Sequence, residues 1–232
     1  MEHKIGDKTV AQAFPDPGLA ALSQAACAGD AAAVTRLVRA GADPNGLGLD
    51  GVVPLFWAID CKNLVGIEAL LRAGADPNYR IPGRFTPVYQ ATTHRNSEIL
   101  KLLLEHGGNP NTRFGDSDAM GKPAYVEAIF LGSEGHWDNY YLLLDNGLDI
   151  YQGDMPGGTV AVELVYAGEY EKVIELLERG YDYDLNGLGR RLQNLNSMNT
   201  RQELWKPRLM AALEARGVIF PVPPRRGPNL AR

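Results

Sequence analysis

Four histidines, His3, His94, His106 and His136, are the imidazoles this chain has for acid–base or metal chemistry, and no two stand at a metal-type spacing. His106-Gly107-Gly108 has the look of a hydrolase oxyanion segment. No Gly-x-Ser-x-Gly elbow accompanies it, and Gly107 sits where a helix is expected to end. Asp116-Ser117-Asp118-Ala119-Met120-Gly121, with Glu127 beyond, reproduces the spacing of a calcium loop. Met120 stands where an oxygen ligand is needed, Pro123 interrupts the loop, and Asn109-Pro110-Asn111 makes a turn where an entering helix is required. Asp116, Asp118 and Glu127 are therefore a weak match, and the segment is read as a solvated hairpin. Cys27 and Cys61 are too few for a disulfide framework and lack zinc spacing. Nothing converges as acid, base and nucleophile, so the chain is read as non-enzymatic, with no catalytic residue, no metal, no cofactor and no small-molecule substrate.

Composition narrows the partners. Of 232 residues 45% are apolar, enough for a sizeable core, and the net charge is −5 with basic residues scattered along the chain. That distribution lacks the basic patch of a nucleic-acid binder. No stretch approaches the roughly 18 apolar residues of a membrane span. The start, Met-Glu-His-Lys-Ile-Gly-Asp-Lys, lacks the apolar block of a secretory leader. The expected location is cytoplasmic, or periplasmic if a leader was removed and replaced by Met1.

The elements that would position any site come from an internal repeat. Gly-Ala-Asp-Pro-Asn begins at Gly41 and again at Gly74, and Gly-Gly-Asn-Pro-Asn begins at Gly107, each step being 33 residues. Looser copies begin at Gly147 and, another 33 residues on, at Gly180. Between these anchors a short apolar helix opens on Pro, as at Pro54 and Pro87, where the missing amide costs nothing. A second helix closes on Leu-Leu before each Gly, the placement of a left-handed helix end. Leu55, Ala58, Ile59, Ile67, Leu70 and Leu71 fall at core spacing, with Ala58 and Ala91 small enough to let helices approach. Asp43 and Asp76 are placed to bond their own turn backbone.

These features resemble the ankyrin-repeat family over roughly residues 15–217. The resemblance implies an all-α ankyrin-repeat solenoid of about five helical-hairpin repeats plus a C-terminal capping unit. The expected boundaries are an N-terminal extension 1–14, repeats at about 15–47, 48–80, 81–113, 114–153 and 154–186, a cap 187–217, and a Pro-rich tail 218–232. Stacked units share a core, so a single domain is expected.

In such stacks the hairpin tips and first helices line a concave groove that binds proteins. The matching positions are Leu49, Asp50, Val52, Asp60 and Cys61 in the second repeat, and Pro82, Gly83, Phe85, Thr93 and His94 in the third. The fifth offers Met155, Pro156, Gly158 and Tyr166. Each either faces a partner or packs against the adjoining loop. The fourth repeat spans 40 residues from Gly107 to Gly147, with extra length in its hairpin and around Gly132–Trp137. Trp137 either serves recognition there or caps the second helix from within. Cys27 and Cys61 fall on neighbouring first helices, and a helix separation of roughly 8–10 Å makes free thiols the expectation. The brevity, acidity and Asp-Pro-Asn turns are similar to a bacterial group of small ankyrin proteins that includes immunity proteins, which occlude a secreted effector or toxin of the same cell. The other reading is a cytosolic adaptor or host-directed effector that bridges partners without inhibition, with Pro221–Arg226 as a docking peptide.

Overall fold

The computed structural model describes residues 4–5, 8–81, 85–115, 121–153 and 158–224. They fall into two compact units, Met1–Leu148 and Asp149–Arg232. The first unit opens with an antiparallel pair of two-residue strands, β1 (Lys4–Ile5) and β2 (Lys8–Thr9), followed by α1 (Val10–Ala13). Thr9 and Gln12 form a reciprocal capping box on α1. Val10, Ala13 and Phe14 then bury against Trp57, Phe14 meeting the indole edge-on at 5.9 Å. The extension thus covers apolar surface contributed by the first two repeats, including Leu19, Ala20 and Val52.

Four helical hairpins follow. They are α2 (Pro17–Ala28) with α3 (Ala31–Arg39), α4 (Pro54–Asp60) with α5 (Leu64–Arg72), α6 (Pro87–Thr92) with α7 (Glu98–Glu105), and α8 (Ala124–Ser133) with α9 (Asp138–Asp145). Pro54 and Pro87 stand in the first helical turn, and Thr86 caps α6 by accepting the Tyr89 amide. Leu55, Ala58, Ile59, Ile67, Leu70, Leu71 and Ala91 are all buried. The glycines that close the hairpins, Gly41, Gly74 and Gly107, have φ of 102°, 95° and 85°, and an added Cβ there would meet open space. Backbone conformation, not crowding, is what calls for glycine at these ends.

A side-chain ladder ties the turns together. The Asn45 side chain donates to the Gly74 carbonyl and accepts from the Asp76 amide, at 2.8 and 2.7 Å. Asn78 repeats both bonds with Gly107 and Asn109, at 2.9 and 2.7 Å, and Asn111 reaches the Gly147 carbonyl. Asp43 and Asp76 each accept an amide two residues on, as their turn positions predict.

The cysteine expectation fails. Cys27 and Cys61 form a disulfide, their Cα atoms 5.4 Å apart. Cys27 is the penultimate residue of α2 and Cys61 caps α4, so the bond joins the C-terminal ends of two neighbouring first helices. Gly66 in α5 explains the closeness, since a Cβ there would lie 1.7 Å from the Ala26 carbonyl oxygen. Asn63 adds a bond from its side chain to the Cys27 carbonyl at 3.2 Å. Typical interhelical spacing was the wrong yardstick for a seam built from Ala and Gly.

The second unit contains α10 (Val160–Ala167), α11 (Tyr170–Glu178), α12 (Leu185–Asn194) and α13 (Thr200–Glu214). Tyr151 stands where the ladder asparagine would, stacked on Tyr181 at 5.5 Å and donating to Asp182. Arg201 of α13 bridges Glu169 and Glu171 at the start of α11. Only Leu209 and Leu213 of α13 are buried, a polar outer face of the kind that ends a stack. The start of the tail is docked: Val218 and Val222 are buried, and the Gln193 amide both donates to and accepts from the Val222 backbone. Arg225 and Arg226 lie outside the described residues.

Candidate functional site

The first helices and hairpin tips of the first unit carry a cluster of four aromatic rings. Phe85, just before α6, has its ring 5.7 Å from Phe56, 6.2 Å from Tyr89 and 6.0 Å from Phe114, and Tyr89 lies 5.8 Å from Phe114. Phe56 and Tyr89 are buried, Phe85 is half-buried, and Phe114 is 43% exposed. Phe114 is held out by the fourth-repeat hairpin, where its amide donates to the Lys122 carbonyl and the Ala124 amide to the Thr112 carbonyl. Arg80 braces the same hairpin from the preceding turn, donating to the carbonyls of Arg113 and Gly115 at 2.7 Å each.

Glu127 on α8 closes the polar edge of this cluster. Its Oε1 accepts from the Tyr89 hydroxyl at 2.9 Å and from Lys122 Nζ at 2.8 Å. Burial, and then the hydrogen bond donated to Glu127, hold the Tyr89 phenol protonated far above the usual range. Glu127 is therefore engaged with protein partners. Asp116 and Asp118 of the calcium-like pattern lie outside the described residues, and among the described residues no group of three acidic, His or Cys side chains could hold a metal.

The other anticipated positions have mixed surroundings. Leu49 is exposed, Asp50 pairs with Lys8 at 2.5 Å, and Val52 is half-buried against the Phe14–Trp57 cluster. Cys61 is committed to the disulfide, and Thr93 is exposed with its hydroxyl donating to the Gln90 carbonyl. His94 is half-buried with Nε2 lacking a hydrogen-bond partner, and its carbonyl accepts from Asn139. Burial lowers its pKa, Lys62 adds to this, and Asp60 opposes it. Trp137 caps α9, lies across Gly132 and meets Tyr140 edge-on at 5.4 Å, the internal capping role. Pro82, Gly83, Met155 and Pro156 lie outside the described residues.

In the second unit Tyr166 is 60% exposed on α10 and lines a cleft with Gly187, Arg190, Arg191, Asn194 and Leu195 of the α12 segment. Sequence reasoning named Tyr166 and Phe85 but missed Phe114, Arg190 and Arg191. Phe114 had a usable signal, lying three residues beyond a ladder asparagine, where the preceding repeat has the buried Ile81.

Residues 84–113 match the ankyrin-repeat family model. Among solved structures, the human ASB11 ankyrin repeat domain is similar at 22% identity and a TM-score of 0.56, over 85% of this chain and 84% of that one. No curated protein matches the chain. The fold is that of an ankyrin-repeat protein, helical among the described residues apart from the short N-terminal strand pair and one isolated bridge, Arg113 with Pro123. No helix among the described residues is long and apolar enough to cross a membrane.

Proposed function

We propose that this ankyrin-repeat chain is a non-enzymatic scaffold that binds another protein through the aromatic face centred on Phe85 and Phe114. The observation that carries the reading is an exposed ring held rigid: Phe114 keeps 43% of its surface in solvent while Phe85 and Tyr89 pack its flank. The flank of the ring stabilises the hairpin, and its open face, already ordered, can contribute binding energy at little entropic cost. Binding is further proposed to inhibit, with the first-helix face and the long fourth-repeat hairpin covering the catalytic mouth of a secreted effector or toxin. The Cys27–Cys61 disulfide favours this over a cytosolic adaptor, because such bonds persist in oxidising compartments like the periplasm.

The test is co-purification with the product of an adjacent gene, followed by assay of that enzyme with and without this chain. Phe114→Asp is expected to weaken capture at least about tenfold, with the chain still cooperatively folded at the assay temperature though its unfolding midpoint falls through the lost contacts with Phe85 and Tyr89. Undiminished capture by Phe114→Asp places the interface elsewhere, and a stable complex with full enzyme activity rejects inhibition.

A further inference from the structure

The α10–α12 cleft of the second unit carries a charge pattern that names its occupant. It is an open depression of about 350 Å³ that presents two guanidiniums, Arg190 and Arg191, with no carboxylate among its lining residues. Elsewhere the signs are mixed: between α3 and α5, Arg39 and Arg72 face Glu68, which pairs with Arg72 at 2.6 Å. Between α5 and α7, Lys101 lies among Glu68, Glu98 and Glu105. In a chain of net charge −5, a cleft lined by two guanidiniums, with one carboxylate, Asp184, 3.8 Å from Arg190 at its edge, is a local excess of positive charge.

Both arginines are held in place yet have donors to spare. Asp184 forms a long ion pair with Arg190 at 3.8 Å and through the same oxygen accepts the Gly187 amide as the cap of α12. Arg191 donates one N–H to the Gly187 carbonyl at 3.2 Å, which fixes the direction of its fork. A guanidinium has about five donors, so each keeps several for a ligand. Tyr166 supplies a flat, exposed ring beside them.

We infer that this cleft receives a glutamate or aspartate side chain from an acidic segment of the protein partner, an inference that rests on the scaffold reading above. A guanidinium fork matches carboxylate geometry, and the tyrosine face suits the apolar residues flanking it in a peptide. The net negative charge disfavours polyanions at long range, whereas a lone carboxylate is drawn in only within roughly a Debye length of about 8–10 Å.

The probe is the peptide acetyl-Leu-Glu-Glu-Leu-amide, titrated at low salt while the arginine Nε–Hε resonances are followed, beside its glutamine counterpart and inorganic phosphate. The glutamate peptide is expected to shift the Arg190 and Arg191 signals, and to bind at least about tenfold more tightly than the glutamine peptide. The double variant Arg190→Gln/Arg191→Gln should lose that preference with its unfolding midpoint kept. Equal binding of both peptides, an unaffected double variant, or phosphate preferred over the glutamate peptide would each overturn the inference. With a purified partner the two readings separate. If the double variant captures normally while Phe114→Asp does not, the cleft fails and the scaffold stands; if both capture normally, both fail.

Discussion

Removing the Cys27–Cys61 bond, by Cys27→Ala/Cys61→Ala or by a phosphine reductant, tests the least anticipated feature of this fold. The bridged residues are 34 apart, and closing a loop of that length in the unfolded chain removes about 12–13 cal/mol/K of entropy, or about 3.8 kcal/mol at 25 °C. That is several hundred-fold in the folding equilibrium. The two helix ends are also held by Gly66 against Ala26 and by Asn63 on the Cys27 carbonyl, so the folded arrangement should survive reduction while its stability falls. Guanidinium unfolding followed by far-UV circular dichroism, with and without reductant, measures the loss. Hydrogen exchange locates it, because a repeat contacts only its neighbours: protection should drop across α2–α5 and hold in α7. Alkylation of both cysteines in the folded, unreduced protein, or an unfolding midpoint indifferent to reductant, would refute the reasoning.

Gly66→Ala gains about 1 kcal/mol of helix propensity but drives a Cβ to 1.7 Å from the Ala26 carbonyl oxygen, a backbone atom without freedom to yield. Overpacking of this kind costs about 1–3 kcal/mol, so a net loss is expected in denaturant unfolding. Asn78→Ala deletes both ladder bonds, to the Gly107 carbonyl and the Asn109 amide, and should cost about 1–2 kcal/mol by the same measurement. For His94 the lowered folded pKa means that the unfolded state takes up its proton first as pH falls. Stability is therefore full above the unfolded value of about 6.5 and declines below it until the folded pKa is passed. His94→Gln should flatten that slope in unfolding curves recorded from neutral to mildly acidic pH.

The repeat was legible in the chain because it rests on local rules. A Gly that must take positive φ, a Pro at a first helical turn and Leu-Leu before each break are read residue by residue. Their common spacing of 33 supplied the hairpin units, and the helices over 54–72 and 87–105 stand where that pattern puts them. Asp43 and Asp76 were equally readable, since an Asx turn closes within two residues.

Tertiary structure decided what depends on how closely unlike segments approach. The disulfide joins helix ends in a seam where Gly66 lets α5 lie against Ala26, a closeness that depends on residues of two repeats at once. Phe85 went half-buried and Phe114 took the exposed place, because one ring cluster covers one member with the others and the hairpin geometry chose which. Trp137, half-buried, lies against Gly132, where a larger side chain would collide with the indole. Arg190 and Arg191 look in sequence like an ordinary solvated pair, and only the packing of α10 beside α12 brings them into one cleft with Tyr166. Local backbone preferences are written in the chain; which side chains share a space depends on packing between segments far apart in sequence.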